Sequence, residues 1–256
     1  MIIYEIEGPI ETLHILKDPL KIGNCSIIQK DGKMWIHSIG ESDDKLKAKE
    51  IALKRIRKAC LCWSLIFNNQ LIFNESNSRS SIIEQHDKLI VKRQGLSMII
   101  SDAAISCEVK PEEINSLLAL SKVFENADEY SLKAANYFER GLASKSKPDH
   151  SFLNFYKASE LISNKLFKEN IAEKTKKSNK PKQKITATEK MIYMCEVLGI
   201  DNSIVNKLVD IRNRGFDVGH AQVRIVQVEK EDLNNCMNLT KEVILKYCSI
   251  GKTKKL

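Results

Sequence analysis

The chain lacks the short motifs that mark the most common enzyme sites. Its 256 residues contain no glycine-rich phosphate loop, no His-Glu-x-x-His pair and no Cys-x-x-Cys pair. The first motif wraps backbone N–H groups around phosphates, and the other two are patterns that hold metal ions. The sequence therefore does not indicate a zinc, nucleotide-triphosphate or dinucleotide enzyme, and we expect neither a cofactor nor a bound metal.

A long apolar run is also absent. The longest one, residues 60–67, is too short to cross a bilayer. Residues 1–7 carry acidic side chains where a secretory signal would carry lysines. From these absences we expect a cytoplasmic protein without a membrane partner.

The cysteines do not form a pattern typical of disulfides. There are seven, an odd number, and they are scattered along the chain. Cys60 and Cys62 resemble a metal-binding pair, but on a helix of about 3.6 residues per turn their side chains point about 200° apart. We therefore expect buried free thiols.

What the sequence does contain is a core-forming composition and an excess of positive charge. Apolar residues make up 43% of the chain, enough for one large domain or two modest ones. The formal net charge is +8. A basic protein of this kind favours anionic partners such as nucleic acid or a membrane surface.

Residues 1–126 carry the patterns of an α+β domain. Apolar and polar residues alternate over residues 2–6, and two apolar runs flank Asp31-Gly32, a dipeptide typical of a hairpin turn. The polar stretch at residues 74–81 predicts a loop. Further strands are predicted over residues 71–73, 88–92 and 96–100.

A long helix is predicted inside this domain. Ser42 is the expected N-cap, and a second helix is expected to begin at Pro111, which two glutamates follow. Basic residues surround the apolar side of the first helix, which indicates either a solvated face or an RNA-binding face. Its predicted buried stripe is Leu46, Leu53, Ile56, Cys60, Trp63 and Phe67.

Residues 127–256 predict an all-α bundle, because their apolar residues recur with the period of a helix. A capping box at Thr186 and Glu189 predicts a helix that Gly199 ends. A lysine-rich stretch at about residues 168–187 predicts a loop, either a solvated linker or an arm that grips phosphates. The predicted core includes Ala134, Ala135, Phe138, Leu142, Phe152, Phe155, Tyr156, Ile162, Cys236, Thr240 and Tyr247.

The strongest chemical signal lies between Ile211 and His220. Arg212 continues an apolar stripe at helical spacing, so we expect it half-buried at the inner edge of the bundle, with Glu160 as its candidate ion-pair partner. Arginine grips phosphate with a fixed fork of donors, and histidine can move a proton near pH 7. The alternative is a structural arginine and a histidine that caps a helix end.

Three segments of the C-terminal half resemble the HEPN superfamily, in particular the branch often called ApeA-like. Residues 131–142 are similar to the family's first helix, and residues 152–161, with their Ala-Ser-Glu, to its second. The Arg-Asn-Arg that begins at residue 212, followed by His220, is similar to the family's Arg-polar-…-His signature. The resemblance covers roughly residues 127–250.

The resemblance implies a helical bundle that dimerises and cleaves RNA without a metal ion. His220 would then be the acid/base group, and Arg212 or Arg214 would stabilise charge on the phosphoryl oxygens. Asn213 would orient the histidine or the phosphate, and Glu160 would hold the arginine. The implied partners are RNA and a second copy of the chain, with a possible protein partner in a bacterial toxin–antitoxin or antiviral defence system.

The spacing of the signature leaves an alternative open. Seven residues separate Arg212 from His220, and five separate Arg214 from His220. The family's usual spacing accommodates five residues but not seven. Either Arg214 is the motif member, or Arg212 is and the segment carries an insertion. A non-catalytic RNA-binding, dimerisation or docking module is therefore the competing hypothesis, and a nucleotide- or ligand-sensing N-terminal domain is a third.

Overall fold

The chain is an α+β protein that divides into two compact units, Met1–Asn126 and Ala127–Leu256. The structure, a computed structural model, describes residues 1–12, 14–16, 18–30, 33–84, 107–175, 185–215 and 228–250. The Asp31-Gly32 turn and the strands predicted at residues 88–92 and 96–100 lie outside these residues.

An antiparallel sheet forms the first unit, with β1 at its centre. One edge of β1 pairs with β5, and its other edge pairs with both β6 and β7. Beyond β5 follow β4 and then β3, and a separate parallel pair joins β2 to β8. The strands are β1 (Ile2–Glu11), β2 (His14–Ile15), β3 (Leu20–Ile22), β4 (Cys25–Lys30), β5 (Lys33–Ser42), β6 (Ile72–Phe73), β7 (Arg79–Glu84) and β8 (Cys107–Glu108).

The loop predicted at residues 74–81 is wrong in its second part, where the chain forms β7. The first part of the predicted loop is irregular, with a short 3₁₀ turn at Glu75–Asn77. Residues Arg79–Glu84 run antiparallel to β1, from Glu7 back to Ile2. The edge of β1 offers unpaired backbone groups, and this pairing overrides the local polar composition.

Two helices, α1 (Lys45–Phe67) and α2 (Pro111–Glu125), pack against each other in this unit. The start of α2 at Pro111 confirms the prediction. The expected Ser42 cap of α1 is wrong, because Ser42 still pairs with Ile2 at the end of β5. Asp44 caps α1 instead, and its carboxylate accepts a hydrogen bond from the Lys47 amide at 2.8 Å.

The buried face of α1 also differs from the prediction, because Leu53 and Phe67 are only half-buried and Leu46, in the first turn, is exposed. Leu46 is 75% exposed, whereas Ala48 and Ala52 are fully buried. A Cβ atom on Gly40 of β5 would lie only 1.9 Å from the Ala48 carbonyl oxygen. Helix α1 therefore contacts β5 directly at Ala48 and Ala52. A leucine at either position would prevent such a close approach.

The second unit consists of helices packed around α4. That helix contacts each of the other four, and the predicted core residues Phe138, Phe152 and Tyr156 are buried. No helix in the described ranges combines the length and apolar composition that a bilayer crossing requires. The helices are α3 (Glu129–Ala143), α4 (Pro148–Thr175), α5 (Ala187–Leu198), α6 (Val205–Gly215) and α7 (Lys230–Ile250).

The predicted lysine-rich loop at residues 168–187 is helical at both of its ends. Helix α4 continues to Thr175, supported by the Lys165–Glu169 ion pair, in which the Nζ–Oε1 distance is 3.1 Å. Helix α5 begins at Ala187, after the predicted capping box at Thr186. Residues 176–184 lie outside the described residues.

Candidate functional site

The C-terminal end of α6 positions the candidate arginines. Val205, Leu208 and Val209 are buried, as the periodicity predicts, and they orient the helix against the unit's interior. Arg212 follows on the same side and is half-buried, whereas Arg214 is exposed. The two arginines therefore occupy different environments, although only one residue separates them.

An ion pair between the exposed Lys207 and the buried Asp232 links α6 to α7. Lys207 Nζ lies 2.6 Å from Asp232 Oδ1 in the first turn of α7, and Asp232 is only 5% exposed. Because a buried carboxylate without a cation is strongly disfavoured, this pair holds the two helices in a defined relation. Residues 216–227, which lie between these helices and include His220, are outside the described ranges.

The two arginines also differ in their partners. Arg212 Nη1 donates a hydrogen bond to Asn213 Oδ1 at 3.1 Å. Arg214 forms an ion pair with Asp210, one turn earlier on the exposed face of α6. The charge of Arg214 is therefore paired with a carboxylate, whereas Arg212, at the inner edge of the helices, bonds a neutral amide.

On the neighbouring helix α4, Tyr156 and Glu160 lie one turn apart. Tyr156 is 1% exposed, and its hydroxyl has no hydrogen-bond partner among the described residues. The pKa of Tyr156 is raised to about 12, mainly by burial; the negative charge of Glu160 contributes to this rise, and the positive charge of Arg212 opposes it. Both charges therefore lie within electrostatic reach of one buried hydroxyl.

The expected direct contact between Glu160 and Arg212 is not formed. No ion pair of 4.0 Å or less joins these two described side chains. Instead, the Arg212 guanidinium contacts Asn213, its neighbour on α6, and Glu160 remains half-buried on α4. The structure thus brings the two charges near Tyr156 without joining them to each other.

The sequence predicted that Tyr156 lies in the core, but it did not identify Tyr156 as a member of the candidate site. Its four-residue spacing from Glu160 is a signal that could have identified it, because that spacing puts both side chains on one face of a helix. A buried tyrosine hydroxyl usually finds a partner, so one without a described partner marks an unusual position.

Together these residues offer a permanent cation, a carboxylate and a phenol. The cation can bind a phosphate oxygen, and the amide of Asn213 can hold the guanidinium in place. In the described part of the chain, no group of three or more His, Cys, Asp or Glu side chains is arranged to hold a metal ion. The described part of the site therefore offers a cation of the kind that binds anions such as phosphate.

No family model, curated protein or solved structure matches this chain.

Proposed function

We propose that the C-terminal unit is a HEPN-like domain that cleaves RNA as a homodimer and without a metal ion. The observation that carries this proposal is the half-buried Arg212, a permanent cation kept at the inner edge of the helices near Tyr156 and Glu160. The segments that resemble the family also lie on helices, residues 131–142 in α3 and residues 152–161 in α4.

In the proposed reaction, His220 removes the proton of a ribose 2′-hydroxyl, or protonates the leaving 5′-oxygen. The 2′-oxygen bonds to the adjacent phosphorus and the bond to the 5′-oxygen breaks, which leaves a 2′,3′-cyclic phosphate. Arg212 stabilises the charge on the phosphoryl oxygens, and Asn213 holds its guanidinium. Because the attacking group is the 2′-hydroxyl, DNA is not a substrate.

Arg212 is preferred to Arg214 as the phosphate-binding residue. The Arg214 guanidinium is already paired with Asp210, and both side chains are largely exposed. The Asp210 carboxylate would compete with a phosphate for the Arg214 guanidinium. Arg212, whose described partner is a neutral amide, can accept a phosphate without such competition.

The biological setting is part of the same proposal. RNA-cleaving domains of this family commonly belong to bacterial toxin or antiviral defence systems, so the substrate would be host or phage RNA. A protein partner would then hold the enzyme inactive until a trigger arrives.

The test is RNA cleavage by the purified full chain in EDTA, with the product ends identified. The wild type should produce 2′,3′-cyclic phosphate ends, and His220→Ala and Arg212→Ala should each lower the rate by about a hundredfold or more. Arg214→Ala is the matched control and should retain most of the activity. A wild type that leaves RNA intact, or that cleaves no faster than His220→Ala, contradicts the proposal.

A second candidate function is a non-catalytic RNA-binding or docking module. It is favoured by the seven residues between Arg212 and His220, a longer interval than the one that starts at Arg214. This alternative predicts binding without cleavage, with an affinity that falls steeply as salt rises. Gel-shift and cleavage assays on the same RNA separate the two functions.

A further inference from the structure

A cleft in the N-terminal unit lies between α1, α2 and the turn that joins β3 to β4. Its volume is about 350 Å³, close to the lower limit of the range for small-molecule sites. Buried Ile22 and Phe124 contribute apolar surface to it. The cleft thus has the size and the partly apolar lining that a small organic ligand requires.

Three cations of α1 line the same cleft: Lys54, Arg55 and Lys58. Lys54 is exposed and the other two are half-buried. Lys58 Nζ donates to the backbone carbonyl oxygen of Glu125 at 3.0 Å, and the Arg55 guanidinium donates to a backbone carbonyl of β5. Both acceptors are neutral, so these hydrogen bonds do not cancel the charges.

The positive charge in the cleft is only partly balanced. None of the three cations lies within 4.0 Å of a carboxylate among the residues that the structure describes. The carboxylate of Glu125 lines the cleft and acts on Lys58 from a greater distance. Burial lowers the pKa of Lys58, and the neighbouring charge of Lys54 lowers it further. A bound anion would relieve this repulsion.

We propose that this cleft binds a small phosphomonoester of about the size of a mononucleotide. A phosphate dianion carries enough charge for two of the cations, and the free N–H groups of Arg55 match its oxygens. The apolar surface from Ile22 and Phe124 would cover the uncharged part of the ligand. The site lies within the N-terminal unit, so this proposal does not depend on RNA cleavage by the other unit.

Calorimetric titration of the full chain with AMP tests the proposal. AMP should bind saturably with one site per chain, adenosine should bind at least about tenfold more weakly, and inorganic phosphate should compete. Lys54→Gln and Lys58→Gln should each weaken AMP binding by about tenfold. Lys47→Gln changes an exposed cation on the same helix outside the cleft, and it should bind AMP within about twofold of the wild type.

Several outcomes overturn the proposal. Adenosine and succinate are titrated in parallel with AMP, and an affinity for either that equals the affinity for AMP shows that phosphate is not what the cleft recognises. Absence of AMP binding at millimolar concentration also contradicts it, and so does wild-type affinity in Lys54→Gln. If a short RNA binds, AMP does not, and Lys47→Gln weakens RNA as much as Lys54→Gln, the surface is an RNA-binding helix face instead. Because Lys54 is exposed, its variant should fold normally, and thermal unfolding checks this.

Discussion

The two units hold their elements together in different ways. In the N-terminal unit, α1 lies against β5 where Gly40 meets Ala48 and Ala52, so the contact depends on the lack of a side chain. In the C-terminal unit, buried hydroxyls join the helices, and Thr240 of α7 donates to the Phe155 carbonyl oxygen of α4 at 2.9 Å. The contact between β5 and α1 is therefore sensitive to added atoms, and the contact between α4 and α7 to lost hydrogen bonds.

The units also present their cations differently. The N-terminal cleft gathers three positive charges on one helix, with Glu125 as the acid among its lining residues. The C-terminal site holds Arg212 near the buried hydroxyl of Tyr156. A cluster of cations suits binding of an anion, whereas a single oriented guanidinium suits stabilisation of charge at one position. The difference agrees with the binding role that we propose for the N-terminal unit and the chemical role that we propose for the C-terminal unit.

The largest expected effect is that of Gly40→Ala. The new Cβ would meet the Ala48 carbonyl oxygen at 1.9 Å and the Ala52 nitrogen at 2.8 Å. Both are backbone atoms, so α1 must move away from β5, at a cost of about 3 kcal/mol in the free energy of unfolding. Hydrogen exchange across the full chain should show faster exchange in β5 and α1.

Gly141→Ala is the matched change in the other unit, where the new Cβ would meet the ring of Phe155 at 2.4 Å. A ring can shift more easily than a helix backbone, so this cost should be smaller and confined to α3 and α4. An equal or smaller effect of Gly40→Ala would break the contrast between the units.

Thr240→Val should destabilise the C-terminal unit by about 2 kcal/mol. The change keeps the shape of the side chain but removes the hydroxyl that bonds the Phe155 carbonyl oxygen and the Ser159 hydroxyl, each at 2.9 Å. Ser249→Ala is the control, since Ser249 is exposed and bonds only within α7. Denaturant unfolding, monitored by hydrogen exchange, measures the stability of both variants. Equal stability of Thr240→Val and Ser249→Ala would show that the buried hydroxyl contributes little.

Asp128→Ala should cost about 1.5 kcal/mol near pH 7, because it removes the N-cap of α3. Burial opposes the charge of Asp128, but hydrogen bonds from the amide and hydroxyl of Ser131 and from the Tyr247 hydroxyl outweigh it and lower its pKa. A carboxylate with a lowered folded-state pKa stabilises the fold above its ordinary value of 3.8. That contribution is lost as the pH falls through the lowered pKa.

Asp128→Asn keeps a capping oxygen but cannot ionise, so it separates the cap from the charge. Unfolding curves from about pH 7 to about pH 2 should show a smaller acid loss in Asp128→Asn than in the wild type. The same acid loss in both would show that other carboxylates account for it.

Tyr156→Phe should have the smallest effect on stability, at most about 0.5 kcal/mol in either direction. It removes a buried hydroxyl that has no partner among the described residues, whereas Thr240→Val removes one that is bonded. A loss as large as that of Thr240→Val would mean that a residue outside the described ranges bonds the Tyr156 hydroxyl.

Local sequence patterns predicted much of the secondary structure. The capping box at Thr186 and Glu189 and the stop at Gly199 depend only on residues within one or two helical turns, and both are confirmed. The predictions that failed involve residues distant in the chain. Leu46 is exposed because the smaller Ala48 and Ala52 pack against Gly40 instead. Strand β7 forms because it pairs with an edge of β1 that would otherwise be free. Hydrophobicity alone does not contain that information.

The sequence by itself determined the α+β class, the period of the buried helix faces and the half-buried position of Arg212. Each follows from residue patterns that can be recognised segment by segment along the chain. Tertiary structure alone decided which charges surround Tyr156, that Glu160 and Arg212 do not pair directly, and that three cations of α1 line a cleft with α2. These arrangements depend on how far apart packed backbones lie, and side chains from separate segments meet only where that distance permits.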